Sequence, residues 1–197
     1  IDSSPSPVTG KPKGPGMGCD VQPIAPLTSD YSDIRTQITA LTASGKANMP
    51  EGVAWGMRVL SPGQPFDEGK PADASVEKIM IMVSGSPNEF GNNATPLGST
   101  YTSNGYLVDG RLGISSGGAA ATGTILNDMT IKACENAREQ GIEMFTVRFQ
   151  QTDTSSGEIL QKCASSSGHY FDVPVRAQLD GIFDKIRKRA VKIRISS

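Results

Sequence analysis

A chain of 197 residues with a net charge of −1 lacks the basic excess of a dedicated nucleic-acid or polyanion binder. Its length suits one α/β domain with an appended segment, or a piece of something larger, and is enough to bury a core. No apolar run approaches the roughly 20 residues a membrane helix needs, and 22 Gly and 13 Pro imply many turns and at least one long irregular connection.

No signal peptide opens the chain and Ile1 is not an initiator Met. It therefore reads as a fragment or processed product, with any membrane anchor upstream. Residues 1–28 are rich in Pro, Gly and Ser without a period, which predicts an extended arm. Residues 29–197 read as the folded domain. Ser29 or Asp30 caps a first helix, in which Ile34, Ile38 and Leu41 form a stripe predicted to be buried and which stops near Gly45. A second helix begins at Pro50, carries Val53, Trp55, Val59 and Leu60, and ends at Ser61-Pro62-Gly63. Glu77 to Ser84 is a strand whose continuous apolar run fits a parallel strand buried on both faces.

From Gly85 to Thr124 no period is visible, and a connection of about forty residues inside a compact domain is usually functional or mobile. Asn127 or Asp128 then caps a third helix marked by Ile131, Cys134 and Ala137 or Arg138, with Gly141 as its stop. Ile142 to Phe149 is the next strand. Ser155 or Ser156 caps a short helix with Leu160 and Cys163, and Gly168 to Asp172 is a short strand. Leu179, Ile182, Phe183 and Ile186 give the last helix the clearest stripe, and Val191 to Ile195 alternates as an edge strand would. This alternation of strand and helix implies right-handed crossovers and a doubly wound, mostly parallel sheet, the α/β class.

Few chemical constellations emerge. His169 is the only histidine, and a strand-end residue explains it better than a catalytic triad or a metal ligand. Gly85-Ser86 after a strand hints at a phosphate loop, but G-x-G-x-x-G and the P-loop Lys are missing and Pro87 removes an N–H donor. Lys185, Arg187, Lys188, Arg189, Lys192 and Arg194 form a basic cluster that complements a helix C-terminus; its functional reading is contact with anionic lipid or an acidic partner. Asn93-Ala94-Thr95 matches a glycosylation sequon by chance. Cys19, Cys134 and Cys163 have no zinc-like spacing, and read either as buried thiols or as one disulfide with an odd Cys.

Several blocks together resemble a known family. They are Pro26-Leu27-Thr28, Met49 through Pro62 with its Trp55, Pro65-Phe66 and Gly69, and Gly110-Arg111-Leu112-Gly113. Cys134-Glu135-Asn136-Ala137 before Gly141–Val147, and Leu160–Ser166 before Tyr170-Phe171, complete the set. From Pro26 to Ile195 the chain resembles the C-terminal part of TadG-type proteins, components of the tight-adherence (Tad) system that assembles Flp-type pili. These carry a von Willebrand factor A (vWA) domain, so the resemblance implies a vWA/Rossmann-like fold. It also implies a periplasmic or surface location, a membrane anchor in the full-length protein, and protein partners among pilus or envelope components.

The resemblance fails at its metal loops. A vWA domain places Thr where Ala47 stands, and Thr-Asp-Gly-Glu-Asn where this chain reads Ser84-Gly85-Ser86-Pro87-Asn88. Mg²⁺ needs oxygen ligands in near-octahedral positions, and neither Ala47 nor Gly85 offers a side-chain oxygen. Asp2, Ser4 and Ser6 fit the family's first metal loop, D-x-S-x-S, but only Ile1 precedes them and Pro5, Pro7 and Gly10 follow, where a strand and a helix belong. The expectation is therefore a degenerate site with no cofactor, Mg²⁺ returning only if upstream residues rescue it, in a sheet whose N-terminal strands are missing from this chain. The exported family implies a Cys134–Cys163 disulfide, leaving Cys19 unpaired or bound elsewhere. The expected activity is non-enzymatic protein–protein contact through Thr95, Tyr101, Tyr106 and Arg111 in the loop Gly91–Gly123, beside the former metal face. The alternative is a doubly wound enzyme or binding protein for a small phosphorylated ligand, with a closed pocket next to Ser84–Asn88.

Overall fold

The computed structural model describes residues 22–43, 45–71, 76–91 and 95–193. The chain divides into two units, Ile1–Gly45 and Lys46–Ser197. Cys19 and the D-x-S-x-S residues Asp2, Ser4 and Ser6 lie outside the described residues, as do Asn93, Ala94 and Arg194.

In the first unit α1 spans Tyr31–Ala40. Asp30 caps it, its Oδ1 accepting from the backbone N–H of Ser32 at 2.8 Å and of Asp33 at 3.2 Å. The predicted buried stripe is not buried: Ile38 is 62% and Leu41 67% exposed. Helical spacing decides which residues share a face, but burying that face takes a second element, and the described part of this unit has none.

The second unit runs α2 (Met49–Leu60), β1 (Lys78–Ser84), α3 (Ala119–Glu139), β2 (Ile142–Phe149), α4 (Thr154–Cys163), β3 (Tyr170–Val173) and α5 (Leu179–Ile193). The strands form a parallel sheet in the order β1-β2-β3, with Met80 opposite Met144 and Thr146 opposite Tyr170. The two-residue strand period sorts the core into two layers. Met80, Met82, Ile142 and Met144 face one way and pack with Val53, Cys134, Ala137, Ile159 and Cys163 from α2, α3 and α4. Phe145, Val147 and Val173 face the other way and meet Leu179, Ile182 and Ile186 of α5. Helices thus flank both faces of a three-stranded parallel sheet, a mixed α/β architecture compatible with a Rossmann-like winding. No helix among the described residues is long and apolar enough to cross a membrane.

Four local expectations are corrected. β1 is not buried on both faces: it is a sheet edge, with Ile81 41% and Val83 50% exposed. α5 packs mainly over β2 and β3 and reaches only Ile79 of β1. α3 starts at Ala119 instead of Asn127 or Asp128. Its first turns, Ala-Ala-Ala-Thr-Gly-Thr, hide the period, and Gly123 looks like a breaker; yet a Cβ there would lie 3.5 Å from the Asn88 carbonyl, so a small residue lets the helix approach the loop. α4 is capped by Asp153, ahead of the two serines, through the Ser156 N–H at 2.7 Å. Finally, α5 continues through residues 191–193 where an edge strand was predicted, because no Gly or Pro interrupts its run of helix-favouring Lys, Arg and Ala.

Cys134 of α3 and Cys163 of α4 form a fully buried disulfide with Cα atoms 5.1 Å apart. Beside it Arg138 donates to the carbonyls of Lys162 and Cys163 at 2.9 and 2.8 Å, satisfying the end of α4. The bond closes a separation of 29 residues. Replacing both cysteines by alanine is expected to cost about 3–4 kcal/mol in the chain-entropy treatment, seen as an earlier urea midpoint. Unfolding at the wild-type midpoint would contradict a stabilising bond.

Candidate functional site: an amide-linked loop cluster

The two loops singled out in the sequence meet at the carboxyl end of β1. After Ser84 the chain turns through Gly85-Ser86-Pro87, with the Ser84 hydroxyl donating to the Ser86 carbonyl at 2.9 Å. Asn88 then pairs with Ala47 in an isolated parallel bridge, and the Glu89 N–H donates to the Ala47 carbonyl at 2.9 Å. Lys46 and Glu89 add an ion pair at 2.6 Å, with both side chains well exposed; such a pair contributes at most about 1 kcal/mol.

The Asn88 side chain is buried and lies at the centre of the cluster. Its Oδ1 accepts the Met49 N–H at 2.8 Å, one of the donors left open at the start of α2. Its Nδ2 donates to Asn127 Oδ1 at 2.9 Å and to Thr130 Oγ1 at 3.0 Å, both on α3. The Thr130 hydroxyl donates to the Leu126 carbonyl at 2.6 Å, and Asn127 Nδ2 donates to Ser155 Oγ at 3.3 Å in the first turn of α4. On the other side Asn48 caps α2 through the Glu51 N–H at 3.3 Å and donates to Ser103 Oγ of the long loop at 3.1 Å. One neutral amide therefore joins the Ala47 loop, the Gly85 loop and α3, and its neighbours extend the network to α4 and the long loop.

Ala47 and Gly85 offer no side-chain oxygen to an ion. A Cβ at Gly85 would lie 3.3 Å from the Phe149 carbonyl, so a carboxylate there would press on the end of β2. Among the described residues no group of three or more His, Cys, Asp or Glu is gathered for a metal.

The long loop is more ordered than its sequence suggests. Phe90, Leu107 and Leu112 bury themselves against Leu126 of α3, forming a small core of their own. Ser99, itself buried, accepts the Leu107 N–H at 2.9 Å. Of the predicted contact residues, Tyr101 and Tyr106 are brought together edge to face, with ring centroids 5.2 Å apart and Tyr101 58% exposed. Arg111 is exposed nearby; its Cδ and the Asp109 carboxylate flank the position a Cβ on Gly105 would take. Thr95 differs: it is half-buried and its hydroxyl donates to the Ser99 carbonyl at 2.7 Å, so it holds the loop in shape. Sequence reasoning missed Asn127, Thr130 and Ser103 as partners, and missed exposed Leu97 and Val108, which adjoin through a backbone hydrogen bond of 3.3 Å. The nearest cavity, about 280 Å³, is a groove lined by Asn48, Glu51, Ala54, Asn104, Met129 and Lys132 among others.

His169 sits away from this cluster, just before β3 and beside Phe145 of β2. It is buried, with Nε2 2.5 Å from Glu143 Oε1 and Nδ1 2.5 Å from Ser166 Oγ. The order serine–histidine–glutamate resembles a nucleophile relay. An Arg189 nitrogen stands 3.2 Å from the same Nδ1, so the chain of bonds ties β2 to the turn before β3 and to α5.

No family model matches the chain, and no curated protein does. Among solved structures it is similar to the crystal structure of the pilus adhesin SpaC from Lactobacillus rhamnosus GG, at 17% identity and a TM-score of 0.49. The match covers 85% of this chain and 21% of that one, so the chain spans about a fifth of that protein's length. At that score the likeness carries no argument about fold or function.

Two outcomes are expected. Asn88→Ala leaves the Met49 N–H without its acceptor and should cost about 1–3 kcal/mol for that group alone; Asn88→Asp should not rescue it, because a carboxylate oxygen would face Asn127 Oδ1. Urea unfolding of both variants checks this, and wild-type stability in either would contradict it. The Asp153 carboxyl is held below its ordinary value of 3.8, first by the Ser156 N–H, then by the Ser156 hydroxyl and, more weakly, by Arg148, against the opposing effect of burial. A lowered folded pKa contributes stability above the unfolded pKa and loses it as pH falls through the folded one. Asp153→Ala should therefore cost about 1 kcal/mol at neutral pH, with the gap to wild type closing only in acid below the ordinary carboxylate range. A gap that is constant down to that range and beyond would contradict it.

Proposed function

We infer that this chain is a non-enzymatic, vWA-like interaction module, working outside the cytoplasm in Tad/Flp pilus assembly or surface adhesion, that contacts its partners without a bridging cation. The observation that carries this reading is the Asn88 network: a neutral amide joins the Ala47 and Gly85 loops, which on this reading stand in for the metal loops of a vWA domain. Ala47 and Gly85 on either side of it have nothing to coordinate with.

Other features support the same reading. β1 is an apolar, unguarded edge, with Ile81 and Val83 uncovered, which suits a strand that would pair with further strands of a larger vWA sheet. The buried Cys134–Cys163 bond suits an oxidising compartment such as the periplasm or the cell surface. Tyr101, Tyr106 and Arg111 are of the residue types that anchor protein interfaces, and they stand on a loop folded around its own core. The partners on this reading are pilus or envelope proteins, and no cofactor takes part. The phosphorylated-ligand alternative has no comparable support, since the Ser84 hydroxyl is already bonded to the Ser86 carbonyl and Pro87 has no N–H to give.

Binding to immobilised Flp-type filaments, followed by surface plasmon resonance with and without EDTA, tests the proposal. Tyr101→Ala and Arg111→Ala should each weaken binding about tenfold, the scale of an interface anchor, and EDTA should change nothing. Calorimetric titration with Mg²⁺ or Mn²⁺ should be flat. Micromolar metal binding, or attachment that EDTA abolishes, would overturn the cation-free reading.

A further inference from the structure

A second site lies away from the loop cluster, where α5 passes the amino end of β3. Lys185, Lys188 and Arg189 are spaced i, i+3 and i+4 and so share one face of α5. Together with Gly168 and Phe171 they line a cavity of about 280 Å³. Arg189 is held in place: its guanidinium donates to the Gly168 carbonyl at 2.8 Å and stands 3.2 Å from His169 Nδ1. Gly168 makes this seat possible, because a Cβ there would come within 2.9 Å of both terminal guanidinium nitrogens.

No acid lines this cavity. Lys185 and Lys188 form no ion pair or hydrogen bond among the described residues. The nearby carboxylates are engaged elsewhere: Asp172 with Arg148 at 3.2 Å, Asp184 with Arg187 at 3.3 Å, and Glu143 with His169. Three cations and no acid thus line this one concave spot, in a chain of net charge −1. Phe171 adds an apolar wall.

We propose that this cavity binds a carboxylate of an acidic segment in a protein partner, with the segment's adjoining apolar atoms against Phe171. Arg189, fixed by the Gly168 carbonyl, supplies a planar fork, and Lys185 and Lys188 supply mobile charges at the rim. The surroundings select a single anionic group over a broad anionic surface. Asp172 lines the neighbouring groove together with Lys185, and Asp180 and Asp184 of α5 are exposed, so a broad surface such as a lipid bilayer or a nucleic acid would meet carboxylates along with the lysines. The cavity shares no lining residue with the Asn88 cluster, so this second contact stands independently of the cation-free loop face.

The test is a ¹⁵N NMR titration of the folded chain with hexaglutamate, with hexaglutamine as the neutral control. Amide shifts should concentrate at Gly168, Phe171, Lys185, Lys188 and Arg189 and saturate in the millimolar range expected of one weak ionic seat, about 1 mM. Added salt should weaken them. Lys185→Glu with Lys188→Glu, both at exposed positions without partners, should abolish the shifts while leaving the rest of the spectrum in place. Shifts that are absent, scattered over the surface or retained in the double variant would overturn the proposal. Co-sedimentation with phosphatidylserine vesicles in the absence of any peptide-induced shift would also overturn it, in favour of a lipid surface.

Discussion

The structure of this face depends on one buried side-chain amide. Asn88 can act as acceptor and donor at once, and it does both: the oxygen closes the start of α2 and the nitrogen holds α3. A divalent cation in the same place would gather only oxygens and would need negative ligands to offset its charge. An amide needs neither, and its bond directions fix the angle between the groups it joins. The cost of that arrangement is intolerance. In a buried setting each unpartnered donor or acceptor is expensive, so the network is stable only when every member is satisfied.

The rest of the unit follows from holding these loops in place. β1 delivers Asn88 to the carboxyl edge of the sheet, and β2 supplies the central layer against which both helical layers pack. The disulfide and Arg138 then fasten α3 to α4, which keeps Asn127 and Ser155 within reach of each other. With its base fixed in this way, the loop that carries Tyr101, Tyr106 and Arg111 can fold around Phe90, Leu107 and Leu112. On the proposed reading, an interface built on such a base would lose little loop entropy on binding. The uncovered Ile81 and Val83 mark the other open part of the sheet, where apolar surface and free strand edge coincide.

Much of this was readable from the order of residues, and the limits have physical causes. β2 was placed to the residue because its largely apolar run begins straight after Gly141 and stops at the polar Gln150-Gln151-Thr152-Asp153. α2 was placed within one residue by Pro50 and the Ser-Pro-Gly stop. The start of α3 was lost because Ala, Thr and Gly carry little hydrophobic signal, although Leu126 is fully buried. Burial of α1 and β1 was misjudged for a common reason: a periodic or continuous apolar pattern shows that a face can be covered, not that anything covers it. The pair of loops was found from their residues, but the bonds that join them were not. Asn88 lies 39 residues from Met49 and 42 from Thr130, and only the fold brings them together. The acidic cap of α4 was also overlooked, because the serines after Asp153 satisfy the same rule less well than the carboxylate does.

Amide hydrogen exchange at Met49 tests the role of Asn88 most directly. Its N–H should exchange slowly, at close to the rate set by global unfolding, and equally so in EDTA and in millimolar Mg²⁺. Protection that appears only when Mg²⁺ is added would mean that an ion, and not the Asn88 amide, holds the two loops together.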